Sequence, residues 1–180
     1  MEMETAFVSE GLFARSEFHR WLEHVPENDP NRYELLGGRI AMTPPPAWPH
    51  SAVAMNVAFH VRLHTDAHLP GGRVQESSAG FDLPTGDCVQ PDVSWFSKDT
   101  LQRGPAPIAG KRLALAPDLV VEVLSPATRR IDLTTKREAY ERSGVAEYWV
   151  VDPNRRSVVI FALDQPKPGG RPCFDAGTIW

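Results

Sequence analysis

The run Leu119-Val-Val-Glu-Val-Leu124 constrains this chain more than any other segment. Its β-branched, almost wholly apolar residues predict a buried central strand, and a glutamate stands inside it. An ionised carboxylate in such a place costs several kcal/mol unless a positive or hydrogen-bonding group receives it. A fold has no need of that cost, whereas chemistry does. The bland alternative puts Glu122 at an exposed strand end, or pairs it with an internal arginine.

The rest of the chain supplies elements around that strand. Phe18, Trp21, Leu22 and Val25 fall at helical spacing after Ser16, which predicts a helix over about 16–25 with Ser16 as N-cap. Tyr33-Glu-Leu-Leu36 and Arg39-Ile-Ala-Met42 flank Gly37-Gly38, a two-residue hairpin signal. Proline-rich residues 44–49 lead into a helix starting near His50 or Ser51 and ended by Gly71-Gly72. Apolar residues almost all round it predict cover on more than one side. Strands are expected over 74–83 and 89–96, then a loop over 97–117. After the Glu122 strand come a helix over about 132–143 capped by Asp132, and strands over 148–152 and 157–163. The core order is helix, three strands, helix, strand, with an N-terminal helix and hairpin prefixed. That is an α/β fold, in the α+β sense of a mixed sheet. A single domain over 1–180 is expected, its core at about 16–163 and a loosely ordered tail at 164–180.

Composition removes several function classes. A formal net charge of −4 gives no general attraction to nucleic acid or anionic membrane, so a nucleic-acid partner needs a local patch or metal ions. Cys88 and Cys173 show no metal-ligand spacing between them and no disulfide-rich pattern. Met-Glu-Met-Glu-Thr lacks a signal-peptide layout, and no apolar stretch reaches the length of a membrane span. A cytoplasmic protein with no membrane association is expected.

The chemistry-bearing pair is Asp92, after Pro91, and Glu122 on the next long strand. If those strands are neighbours, the two carboxylates face one another at about 5 Å. They repel unless a cation joins them, and oxygen ligands with open positions suit Mg²⁺ or Mn²⁺. Leu124 shares the strand face of Glu122, where a nuclease tripod commonly has lysine. The nearest substitute is Lys136, one turn into the following helix.

Taken together, these motifs resemble a known family. Pro117-Asp-Leu-Val-Val-Glu-Val-Leu-Ser-Pro126, then Asp132, Lys136 and Tyr140, then Gly144-Val-Ala-Glu-Tyr-Trp-Val-Val-Asp-Pro153, look like the Uma-type restriction endonucleases of bacteria, within the PD-(D/E)XK nuclease superfamily. Tyr33-Glu-Leu-Leu-Gly-Gly-Arg39, His50 and Gln90-Pro-Asp-Val93 are similar at matching positions. The resemblance covers about residues 16–163. It implies a restriction-endonuclease-like fold whose catalytic lysine has moved from strand to helix. It further implies Asp92, Glu122 and the main-chain carbonyl of Val123 as ligands of Mg²⁺ or Mn²⁺. Lys136 would orient the attacking water and counter charge on the phosphate, and Glu34 would be a further carboxylate of the site.

The leading reading is thus a metal-dependent endonuclease cutting phosphodiester bonds, with DNA as nucleic-acid partner and a symmetric homodimer as its working form. A non-cleaving module that binds nucleic acid or protein is the alternative; a hydrolase of smaller phosphoesters is a third. His60, His64 and His68 are spaced at i, i+4, i+8 but are read as structural or solvent-facing, not as zinc ligands. His50 is read as a helix cap before a cleft residue, Asp118 as a solvated strand end, and Tyr140 as packing beside the lysine stem. Arg129, Arg130, Arg137 and Arg142, with Lys98, Arg103, Lys111 and Arg112, offer a grip on a phosphate backbone or a solvated surface. Tyr148 and Trp149 read as core.

Overall fold

In the computed structural model, residues 7–164, 173–174 and 178–179 are described. Leu119–Val123 (β8) is buried at all five positions. Each fully buried valine there contributes about 1.5–3 kcal/mol by leaving water, which makes β8 the centre of the larger sheet. It lies between antiparallel Val93–Phe96 (β7) and parallel Glu147–Asp152 (β9). Outward from these lie Arg73–Glu76 (β4) on one side and Ser157–Asp164 (β10) on the other. The smaller sheet is antiparallel. Its order is Phe7–Val8 (β1), Arg39–Thr43 (β3), Arg32–Leu36 (β2), Cys88–Val89 (β6), Phe81–Asp82 (β5).

A parallel pair needs a crossover, and between β8 and β9 it is helical. Arg129–Ile131 (α4), a π-helical turn at Asp132–Lys136 and Arg137–Arg142 (α5) follow without a break. Ala139 and Tyr140 pack on Val120, Tyr148 and Phe161. Trp48–His68 (α2) covers the other face, where Val53, Val57 and Val61 meet Val93, Val121 and Val123. Period-two alternation therefore sends Val120 and Glu122 toward the crossover helix and Val121 and Val123 toward α2. No helix among the described residues is long and apolar enough to cross a membrane.

Several local expectations change. Arg15–Leu22 (α1) starts from Ala14, whose N–H is taken by the Glu17 carboxylate at 2.6 Å, so Ser16 lies in the first turn and is not the cap. Helix α2 begins earlier than expected, because Pro49 fits a first turn. It is covered on one side only, and Met55, Phe59 and Leu63 are exposed. The expected 74–83 strand is two strands in different sheets, β4 and β5, parted where Glu76 accepts the Ser78 N–H. The 89–96 strand likewise splits into β6 and β7 around Pro91, which has no N–H to give a ladder. The 97–117 loop contains Lys98–Arg103 (α3), capped by Ser97. Asp132 lies inside the crossover helix, which starts at Arg129, and so is not its cap. In the tail expected to be loosely ordered, Cys173–Phe174 (β11) and Thr178–Ile179 (β12) pair with β10; the rest of 165–180 lies outside the described residues.

The hairpin joining β2 and β3 holds Glu34 in register and turns through Gly37 and Gly38 at φ of 57° and 79°. A Cβ on Gly38 would make only ordinary contacts, with Leu12 at 3.5 Å and the Phe13 carbonyl at 3.6 Å, so strain alone decides its cost. Gly38→Ala is expected to lower stability by about 1–2 kcal/mol, read as a lower urea midpoint at unchanged slope.

Candidate active site

The register of β7 and β8, with Val93 opposite Val121, brings Asp92 opposite Glu122 at the end of the ladder. Both carboxylates are buried, Asp92 at 4% and Glu122 at 2% exposure. Asp92 Oδ1 accepts from Arg32 Nη1 at 3.0 Å, and its Oδ2 accepts the Val123 N–H at 2.9 Å and lies 3.1 Å from His50 Nε2. Glu122 Oε1 accepts from Lys136 Nζ at 3.0 Å and from the Tyr140 hydroxyl at 2.8 Å. The π-helical turn is wider than an α-turn, and it buries Asp132 and Lys136 on the side facing Glu122. Lys136 Nζ also lies 2.9 Å from Glu34 Oε2 and 3.6 Å from Asp132 Oδ1. Glu34 is fixed in turn by the Gln90 N–H on its Oε1 at 2.6 Å.

Three buried acids, Glu34, Glu122 and Asp132, thus surround Lys136, and a fourth, Asp92, carries Arg32 and His50. Burial pushes the Asp92 carboxyl up, but His50, Arg32 and the Val123 N–H outweigh it and hold it at about 2. Burial opposes the charge on Lys136, yet Glu122, Glu34 and Asp132 raise its pKa well above the ordinary value, so it stays an ammonium and is no proton acceptor at neutral pH. Glu122 is raised well above the carboxylate range by burial; Lys136 opposes this, and Asp92, Asp132 and Glu34 add to it. Burial likewise lifts Asp132 to about 6 against the pull of Lys136. The cluster is richer in acids than in cations, and Asp132 Oδ1 is buried without a hydrogen-bond partner. Surplus carboxylate oxygens of this kind suit a hard divalent cation.

These groups open onto a cleft of about 400 Å³. Pro44, Pro45, Pro46 and Pro49 stiffen one wall, and Ser125–Thr128 with Pro153 and Asn154 form another. Asp92, Glu122, Lys136 and Glu34 all line it. The Val123 N–H points to Asp92. His50, read as a helix cap, instead reaches Asp92. Asp132 joins the cleft, and its spacing of four from Lys136 on one helix was the signal for that. Tyr140 is both core and hydrogen-bonded to Glu122. Arg32 carried no local signal, since only the packing of the two sheets brings it to Asp92.

Asp118 stays away from the cleft and holds Ser97 and Thr100 at the start of α3. His60, His64 and His68 are exposed. Several of the basic residues are already engaged: Arg129 by Asp152 at 2.7 Å, Arg142 by Asp87 at 3.5 Å, and Arg137 over the Phe161 ring at 4.4 Å.

The family model Uma2, described as putative restriction endonuclease, matches residues 15–175. The fold is similar to that of a putative nuclease belonging to DUF820 from Anabaena variabilis ATCC 29413. The TM-score is 0.69 at 20% sequence identity, over 93% of this chain and 84% of that one. At that identity the likeness speaks for the mixed α+β fold alone. No curated protein matches the chain.

A raised folded-state pKa in an acid adds stability that is complete below the unfolded value and lost as pH rises through the folded one. Without divalent cations the part of the stability that Asp132 contributes, about 2–3 kcal/mol, is therefore expected to be lost as pH goes from about 4 to about 6, the range set by its own shift. Asp132→Asn is expected to flatten that slope in denaturant titrations run across the range.

Proposed function

The chain belongs to the Uma2 family, described as putative restriction endonucleases, and from that premise we propose that it is a divalent-cation-dependent endonuclease that hydrolyses phosphodiester bonds of DNA in the Asp92–Glu122–Lys136 cleft. The observation that carries this reading is Lys136, a buried ammonium shared by Glu122 at 3.0 Å and Glu34 at 2.9 Å, inside an open cleft. A purely structural ion pair is weak support for a fold, since burying charge costs about as much as pairing returns.

Asp92, Glu122 once it gives up its proton as the ion arrives, and the Val123 carbonyl would hold Mg²⁺ or Mn²⁺, the oxygen donors fitting either ion. When bound, such an ion polarises a phosphoryl oxygen and makes water more acidic. Lys136 keeps its charge, so its part is to orient the attacking water and offset negative charge growing on the phosphate. Glu34 fixes the ammonium from the opposite wall. Tyr140 fixes Glu122, and Arg32 with His50 fixes Asp92. The prolines of residues 44–49 keep the rim in one shape.

The engaged arginines leave a modest electrostatic hold on a phosphate backbone. The alternative is a nuclease-like module that binds nucleic acid or protein without cutting, and this modest hold favours its protein-binding form. Cutting two strands calls for two clefts, and the exposed Met55, Phe59 and Leu63 of α2 give a second copy of the chain an apolar face to meet. We place this working pair in the cytoplasm.

Incubation with linear and supercoiled DNA tests the proposal. Product is expected with Mg²⁺ or Mn²⁺ and none with chelator. Asp92→Ala, Glu122→Gln and Lys136→Met are each expected to slow cleavage by about 10²-fold or more. Equal cutting by Asp92→Ala would overturn the site, whereas retention of DNA without product at any metal concentration would favour the binding module.

A further inference from the structure

Outside the lining of the cleft, side chains of α1, β5 and β6 converge. His19 Nε2 lies 3.1 Å from Asp82 Oδ2 and 3.8 Å from Cys88 Sγ, and one ligand atom from each of the three residues falls within 4.8 Å of the others. A hydrogen-bonded relay of cysteine, histidine and acid would use both ring nitrogens, one for the thiol and one for the carboxylate. Here the same nitrogen faces both partners. The three atoms therefore point at a common centre and do not form a chain.

The dimensions of that centre suit a metal ion. Bonds of about 2.0–2.3 Å to nitrogen, oxygen and sulfur in tetrahedral array put ligands about 3.4–3.6 Å apart, inside the spread seen here. Sulfur with imidazole selects a thiophilic borderline cation over Mg²⁺ or Mn²⁺. His19 Nε2 faces both Asp82 oxygens, Oδ1 at 3.2 Å and Oδ2 at 3.1 Å; Arg112 Nε lies 3.3 Å from Oδ1, so Oδ2 is the oxygen left to the centre. Charged outer partners of this kind orient ligating carboxylates in metal sites. The thiol is fully buried while the His19 side chain is 40% exposed, so the imidazole gives the centre a solvent side.

We propose that His19, Asp82 and Cys88 bind one Zn²⁺ ion, apart from the cleft and independent of its chemistry. Binding forms Zn–S, Zn–N and Zn–O bonds and releases the Cys88 thiol proton to solvent; one thiolate and one carboxylate balance the ion's two charges. Burial holds the metal-free thiol at about 12, with Asp82 adding to the shift, so without the ion this cysteine stays protonated and inert. The ion ties α1 to β5 and β6. Cys88 pairs with Leu35, the neighbour of Glu34, and stands two residues before Gln90, whose N–H holds Glu34. The tie therefore steadies the strand that leads into Asp92.

Cobalt titration of the full chain reads the site directly, because only a thiolate ligand gives the intense sulfur-to-cobalt charge-transfer absorption; an oxygen-lined cleft does not. One cobalt per chain with that band is expected, displaced by Zn²⁺, and unchanged in Cys173→Ser and in Asp92→Ala. Cys88→Ser and His19→Gln are expected to lose the band and to weaken Zn²⁺ binding by about tenfold or more. Zn²⁺ is expected to raise the Tm of the wild type and not that of His19→Gln. His19 is part-exposed on α1, so this variant remains decisive if Cys88→Ser does not fold. Absence of the band in the wild type, or its survival in His19→Gln with native circular dichroism, would overturn the proposal. Loss of DNA cleavage with the band intact would count against the cleft alone.

Discussion

The contact on which this structure turns is the buried pair between Glu122 and Lys136, 3.0 Å apart and both nearly inaccessible to solvent. The ammonium would be intolerable there alone, and burial lifts the carboxyl beside it toward its protonated form. Removing one member of such a pair costs about 3–5 kcal/mol because the other stays buried and unmatched. The pair also ties the two halves of the parallel unit, since Glu122 belongs to β8 and Lys136 to the crossover that carries the chain to β9. A π-helical turn at Asp132–Lys136 makes the contact, and such turns cluster at functional sites.

Around this pair three acids do not behave alike, although burial pushes Asp92, Glu122 and Asp132 up. Asp92 has Arg32, His50 and a main-chain N–H on its two oxygens and remains ionised. Glu122 and Asp132 share one ammonium with Glu34 and are driven toward the protonated form. Carboxyls of the same chemistry, a few ångströms apart, are thereby separated in proton affinity, which is how one site can hold a proton and an ion-binding oxygen together.

Features governed by local chemistry were legible in the sequence. The Gly37-Gly38 hairpin, the buried Glu122 strand and the reach of Lys136 each follow from turn chemistry, β-branching or one helical turn. Features decided by partner choice were not. Nothing within residues 74–83 says that its two ends join different sheets, and Pro91 reads equally well as a strand residue on an edge. Asp132 and His50 carry the chemistry of caps and stand near helix starts, so their turn toward the cleft is visible only once Lys136 and Asp92 are placed. The convergence of His19, Asp82 and Cys88 was likewise hidden, because sequence separations of 63 and 69 residues give no periodic signal.

Asp92 follows the proline at which the chain leaves the smaller sheet for the larger. Arg32 and Glu34 belong to the first sheet, while Glu122, Asp132 and Lys136 belong to the second or to its crossover. The Lys136–Glu34 contact is thus a clasp across the seam. Any negatively charged guest that draws the ammonium toward itself loosens the fastening between the two leaves. Such a visitor competes for one of the bonds that fasten the seam, while Arg32 on Asp92 goes on holding the two leaves together.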